Sequence, residues 1–420
     1  MEPSTDDVPL TNSLSAPRTP PIADSLAQRA TAILENAQRP AGHRVPNVET
    51  YPHQWLWDSS FHAIALTTLG DRVGAVEELE ALFSAQTRHG FVPHMTYHDD
   101  PDQALDLWGH FGRSTITQPP MYGHALAELG RCVGRRDPLR PRVDALVASA
   151  VKGLIWLARH RFVDDACAQV VIYHPWESGC DDSPRWDAWM PGGRYDRVAW
   201  ASKKCELVRS LVDDPLADAG ASIANAHFAV ADAGFTALFA FNCAELSATF
   251  DLPNLRSFAS RSSYDLDRLW DEPLGTWVSR PIAPDDSVDK RRSCRARTTD
   301  GLLGVLVSQS SDHVNRVFEQ LEDPSAFGAP YGPMGRASQE SGFDPDVYWR
   351  GPVWPQLSYL FYVAARRHGR HELARRLARA TTAAVLANNF AEYWNPYTAL
   401  AESACKPQTW ATIAVAMNDE

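Results

Sequence analysis

Apolar residues recur along this chain at intervals of three and four. Val73, Val76, Leu79, Leu82 and Phe83 fall on one helical face, and Val143, Leu146, Val147, Ala150, Val151, Leu154 and Ile155 on another. The same spacing predicts helices near 23–36, 58–69, 122–134, 198–212, 234–250, 254–269, 299–309, 312–321, 352–367, 370–388 and 407–417. Asp58 before Ser59, and Pro352 near the start of its stretch, are plausible helix starts. About a dozen helices without alternating strand signals predict an all-α fold. Residues 88–120, 162–198 and 323–351 are rich in Gly, Pro, His, Asp and Trp, and are expected to be long, structured, functional loops. Charged residues crowd 285–297, which predicts an exposed loop. With no exact repeat and no low-complexity linker in the body, residues 22–420 are expected to form one domain. Residues 1–21 are rich in Pro, Ser, Thr and Asp and lack an apolar run, so a disordered lead-in is expected there rather than a secretory signal.

Composition narrows the function. The formal net charge of −12 argues against nucleic-acid and anionic-membrane partners, which favour a basic face. No stretch reaches the roughly 18 apolar residues of a membrane helix. The seven cysteines (132, 167, 180, 205, 243, 294 and 405) are odd in number and scattered, the pattern of reduced thiols in a cytoplasmic protein.

Candidate chemistry lies in three tryptophan-rich, carboxylate-bearing segments: Tyr51 to Asp58, His174 to Asp187, and Tyr348 to Pro355 with Ala391 to Pro396 beyond it. Nine of the 14 Trp lie in or beside them, more than a core needs next to Asp, Gly and Pro. Indole faces stack on the C–H face of a sugar, carboxylates hold its hydroxyls, and a carboxylate pair can cut a glycosidic bond. Asp181, between Gly179-Cys180 and Asp182-Ser183-Pro184, is the sharpest candidate. Taken alone, an Asp before Ser-Pro is more often a helix N-cap. Glu392, flanked by Phe390, Tyr393 and Trp394, would be desolvated and suited to proton transfer; alone, it is equally an exposed helix-terminal acid. Asp58 could hold hydroxyls, cap the helix through Phe61, Ile64 and Leu66, or both. Arg350 could brace a carboxylate or orient hydroxyls; its structural alternative is a cation–π contact that shapes the loop. His94 and His98 have helix-face spacing but follow Pro93, with no HExxH nearby, so no metal site is expected. No GxSxG elbow, GxGxxG or P-loop is present, and no cofactor is expected.

Segments 52–58, Thr117-Gln118-Pro119-Pro120, 176–187 and 348–355 together resemble glycoside hydrolase family 63, and most of all its bacterial branch of mannosylglycerate and glucosylglycerate hydrolases. The likeness runs in order over roughly residues 25–418. It implies an (α/α)6 barrel and inverting hydrolysis of an α-glucoside or α-mannoside, a small carbohydrate substrate. It implies Asp181 as general acid and Glu392 as general base. It also implies sugar contacts from Tyr51, Trp55, Asp58, Gln118, Trp176, Tyr348, Trp349 and Trp354. Two departures stand out. The glycerate-handling relatives carry a longer loop with an arginine after the acid motif; here Asp187 runs quickly through Arg194 to Tyr195-Asp196-Arg197. Ala399 stands where the family tends to have Gly after Thr. The alternatives are a sugar epimerase or isomerase on a similar barrel, which would want a central His, and a catalytically impaired sugar-binding protein.

Overall fold

The computed structural model describes residues 21–213, 220–284 and 286–417. The expected lead-in lies outside these residues except for Pro21. The described residues contain α1 (Pro21–Asn36), α2 (Leu56–Thr68), α3 (Arg72–Ser84), α4 (Gln103–Trp108), α5 (Tyr122–Cys132), α6 (Arg140–His160), α7 (Arg197–Val208), α8 (Ala233–Phe250), α9 (Pro253–Asp267), α10 (Val288–Ser293), α11 (Ser311–Glu322), α12 (Pro355–Arg367) and α13 (His371–Ala387). Two longer 3₁₀ segments, Thr299–Leu306 and Thr409–Ala416, complete the helical set.

Packing arranges these segments in two rings. α2 packs on α5, α5 on α8, α8 on Thr299–Leu306, that segment on α12, α12 on Thr409–Ala416, and the last closes on α2. Each inner segment is backed by an outer helix: α1, α3, α6, α9, α11 or α13. The fold is therefore the helical barrel expected, with inner and outer segments alternating along the chain.

Sequence explains the division. An inner helix is covered on all sides and needs no polar face, and α8 (AGFTALFAFNCAELSATF) is buried through most of its length. An outer helix needs one apolar stripe; α11 buries Val314, Val317, Phe318 and Leu321 at i, i+3, i+4 and i+7. Gly304 lets the Thr299–Leu306 segment lie flat on Trp277, since a Cβ there would come within 2.5 Å of the indole.

The alternation makes every inner segment run the same way, so their N-terminal ends gather at one end of the barrel. The residues before α2, α5, α12 and Thr409–Ala416 meet there.

Several local expectations are corrected. α2 begins at Leu56 and α12 at Pro355, earlier and later than Asp58 and Pro352 suggested; Trp55 and Trp354 hold the cap positions. Residues 288–293 are a short exposed helix capped by Ser287, not loop; Asp285 is outside the described residues. α4 interrupts the loop expected at 88–120. The 162–198 loop begins as Phe162–Asp164 and Cys167–Ile172, which join Val230–Ala231 and Arg280–Pro281 in a four-stranded antiparallel sheet. That sheet feeds the chain directly into the Trp176–Asp187 segment.

Candidate active site

A narrow cavity of about 70 Å³ opens at the end of the barrel where the inner N-termini gather. Its walls include Tyr51, Trp55, Asp58, Gln118, Asp181, Tyr348, Trp349 and Glu392, all expected from the sequence. A larger, shallower groove of about 810 Å³ beside residues 96–98 and 111–113 gathers no carboxylate pair.

Asp181 is delivered by a tightly specified loop. Gly179 has φ 73°, and a Cβ there would lie 2.6 Å from the Trp57 ring, so only glycine fits. Ser183, not Asp181, caps the Pro184–Trp189 turn by accepting from the Arg185 N–H, which leaves the Asp181 carboxyl free of that role. Neighbouring Asp182 is engaged elsewhere: Lys204 Nζ donates to Oδ1 and the Tyr195 hydroxyl to Oδ2 at 2.6 Å. The loop is anchored below by Glu177. Its carboxylate accepts two hydrogen bonds from Arg161, both 2.7 Å, and others from the backbone N–H of Tyr173 (2.7 Å) and Thr117 (3.1 Å). One buried ion pair thus ties the Asp181 loop to the segment of Gln118.

Glu392 follows two residues in left-handed backbone, Asn389 and Phe390. Its N–H donates to Cys405 O at 2.8 Å, and Trp410 Nε1 donates to its carbonyl at 3.3 Å. A β-bridge between Val353 and Trp394 holds this stretch against the Tyr348–Trp354 segment. The residue is buried, not an exposed helix end.

Burial dominates the electrostatics. It raises Asp181 to about 7, with Lys204 and Arg197 opposing and Asp182 adding to the rise. It raises Glu392 to about 7 as well; Arg197, the Cys405 backbone and the Tyr51 hydroxyl favour its anion, and repulsion from Asp181 opposes it. Asp58, also buried, is held well above the usual carboxylate range by burial, with the other two carboxylates adding to it. Burial and the mutual repulsion of three carboxyls facing one cavity favour retention of a proton in the site.

Three expected contacts lie off the cavity wall. Trp354 is fully buried and stacks behind Trp349, with ring centroids 3.7 Å apart at 11°. Trp176 is half-buried behind His94, parallel to it at 6.2 Å. Arg350 points away: it donates to Asp187 Oδ1 at 2.7 Å and lies over the Tyr195 and Trp200 rings.

The cavity also holds residues that sequence reasoning passed over: Trp57, His94, Gln408 and Trp410. Pairing of Gln54–Trp55 with Met95–Thr96 brings His94 in, and burial lowers it to about 3, leaving it neutral. His94 Nδ1, Gln408 Oε1 and Trp349 Nε1 are buried polar atoms without a hydrogen-bond partner among the described residues. Gln118 Oε1 accepts from the Trp57 N–H at 3.3 Å, leaving its amide nitrogen for a ligand. Arg197, the first residue of α7, lies 4.3 Å over the Tyr348 ring and has no ion-pair partner among the described residues. Ala399 adopts φ 60°, the left-handed backbone a glycine would take, and does not line the cavity.

Away from the cavity, His124, Glu128 and Glu245 cluster closely enough to hold a cation. Arg131 and Arg367 already pair with Glu245, and Tyr359 is in hydrogen-bond contact with His124, so the cluster is a partly buried charge network between α5, α8 and α12.

Comparison with known proteins places the chain. A family model described as the mannosylglycerate hydrolase MGH1-like glycoside hydrolase domain matches residues 51–411. The glucosylglycerate hydrolase of Mycolicibacterium hassiacum is 29% identical, over 87% of this chain and 91% of that protein. The mannosylglycerate hydrolase of Thermus thermophilus is also 29% identical, over 88% of this chain and 95% of the relative. A crystal structure of a family 63 mannosylglycerate hydrolase from the same species, in complex with Tris and D-glycerate, superposes with a TM-score of 0.80 at 27% identity, covering 93% of this chain and 99% of the other. The chain belongs to the MGH1-like glycoside hydrolases of family 63 and is itself a glycoside hydrolase.

Proposed function

We propose that the protein hydrolyses, with inversion, the α-glycosidic bond of an α-glucoside or α-mannoside whose aglycone is small and anionic, of the glycerate kind. Asp181 gives its proton to the glycosidic oxygen as the bond to the anomeric carbon breaks. A water attacks that carbon from the opposite face and loses a proton to Glu392. The products are the free sugar and the aglycone alcohol, and exchange with solvent restores the two carboxyls. Inverting enzymes hold the pair roughly 6.5–9.5 Å apart to admit that water.

The carrying observation is the asymmetry between two carboxyls that face one indole-walled cavity. The Tyr51 hydroxyl and the Cys405 backbone favour ionised Glu392, whereas no hydrogen bond is among the main influences on Asp181. That difference suits a base and an acid respectively. Asp58, Gln118, Gln408 and His94 would hold hydroxyls, and Trp55 and Trp349 would cover the sugar faces.

The anionic aglycone is supported by Arg197, an unpaired cation beside the two carboxyls, and by the names of the relatives. Arg194, the nearest counterpart in the sequence of the relatives' loop arginine, is exposed and faces another cavity, so Arg197 is the better candidate. The free thiols support a cytoplasmic setting.

The test is hydrolysis of glucosylglycerate and mannosylglycerate beside the uncharged methyl α-glycosides. Preference for the charged pair, weakened in Arg197→Gln, is expected. Equal rates on charged and uncharged substrates would overturn the anionic aglycone while leaving the acid–base pair intact.

A further inference from the structure

A second cavity of about 540 Å³ lies behind the Tyr348–Arg350 turn and shares no lining residue with the reacting pocket. It is walled by the short 187–195 loop on one side and residues 341–347 on the other. Two arginines face it, Arg336 at 8% and Arg350 at 5% exposure. Asp187 pairs with Arg350 Nη1, but Arg350 Nε and Nη2 are buried without a partner. Arg336 has less: its guanidinium makes no hydrogen bond or ion pair among the described residues, and its Nε is buried. Asp344 also faces the cavity, with Oδ1 accepting from the Asp346 N–H, and Arg194 stands exposed at the rim. Arg194, Arg336 and Arg350 against Asp187 and Asp344 leave the lining with one net positive charge.

Buried guanidinium groups are stable when paired, and buried polar groups in folded proteins find partners. Here several N–H donors converge on a space large enough for a small molecule, with too few protein acceptors. The fixed fork of a guanidinium matches the oxygens of carboxylate and phosphate. Arg350 is also held rigidly, 4.8 Å over the Tyr195 ring and 4.7 Å over Trp200.

We propose that this cavity is an oxyanion site, in which a carboxylate or phosphate group of a small molecule bridges Arg336 and Arg350. The site is separate from the reacting pocket and does not depend on the reading of Asp181 and Glu392. Burial, with the nearby Arg350 charge, holds Arg336 below the usual arginine range against the opposing pull of Glu340 and Asp187.

The test is titration of the full chain with inorganic phosphate and with D-glycerate, at constant ionic strength, by calorimetry and by thermal shift. Saturable binding of at least one probe is expected, with a rise in Tm. Arg336→Gln should weaken it at least 10-fold, and Ser341→Asp, at the exposed rim, several-fold. Glu392→Gln should leave it unchanged. Binding of phosphate alone or glycerate alone would identify the group preferred. No saturation with either probe would overturn the proposal. So would binding that survives both Arg336→Gln and Ser341→Asp, or that Glu392→Gln abolishes, since the anion would then lie elsewhere or in the reacting pocket. If Arg336→Gln fails to fold, the Ser341→Asp result decides alone.

Discussion

Replacing Glu177 by Gln should damage the enzyme more than any other single-atom change outside the cavity. Glu177 is 0% exposed, and both its oxygens are shared between Arg161 and backbone N–H groups. An amide nitrogen in place of either oxygen would face two donors, one from Arg161 and one from Thr117 or Tyr173. Two hydrogen bonds are lost, one of them to a charged group and worth about 1.5–3 kcal/mol. Arg161, at 1% exposure, becomes an uncompensated buried cation. Breaking such a pair from one side costs about 3–5 kcal/mol in all, a large share of a total stability of roughly 5–15 kcal/mol. Function should suffer as well, because the same carboxylate fixes the Thr117–Gln118 segment against the loop of Asp181; misplacement by about 1 Å can cost on the order of 10²-fold in rate. Urea denaturation together with kcat at a permissive temperature measures both effects. A stability loss under about 1 kcal/mol with unchanged kcat would show that the pair neither holds the loop nor positions the acid.

Asp181→Asn should abolish cleavage of an alkyl glycoside while sparing a substrate with a very good leaving group, and Glu392→Gln should damage both; rates within a few-fold of wild type for both variants would refute the pair. Fresh product from an α-glycoside should be the β-anomer by proton NMR, and an initial α-anomer would mean retention. The proposed mechanism requires one carboxyl protonated and the other ionised, and both lie at about 7, so kcat/KM should peak near neutral pH and fall on either side; a flat profile from pH 5 to 9 would refute this. Folded-state values raised above those of the unfolded chain mean that the folded protein binds protons more tightly from about pH 4 to about 7, so stability falls as pH rises through that window. Asp181→Asn should therefore be more stable than wild type at pH 8, on the order of a few kcal/mol, and lose that advantage at pH 4. Ala399→Gly should stabilise by about 0.5–1 kcal/mol by relieving the φ of 60°, and a lowered urea midpoint would argue against strain there.

The barrel was legible because its helices carry their own periodicity. Even Thr299–Leu306 and Thr409–Ala416 were marked by their apolar spacing, although nothing in it distinguished 3₁₀ from α. The four-stranded sheet was not legible. Cys167–Ile172 is buried from Ala168 onward and so lacks alternation, and its partners are two or three residues long. Asp181 and Glu392 could be picked out because their flanking Trp, Gly and Pro are local. His94 could not, since a two-residue pairing with Gln54–Trp55 brings it to the cavity, and its neighbours in sequence do not report that contact.

Trp349 and Trp354 show most directly where sequence runs out. Both are indoles in one eight-residue string, and either could cover a sugar. Trp349 adopts φ 58°, a conformation that costs a bulky L-residue about 1–2 kcal/mol. The cost is met by stacking on Trp354 at 3.7 Å and by the bridge between Val353 and Trp394 that fixes the exit of the turn. The left-handed turn presents Trp349 to the cavity and Arg350 to the opposite side, where it meets Asp187 and the second cavity. A single backbone angle thus assigns three neighbouring side chains to wall, support and separate site. Side-chain chemistry alone leaves all three assignments open, because the angle is set by contacts with residues more than 40 positions away along the chain and by the fit of one indole on another.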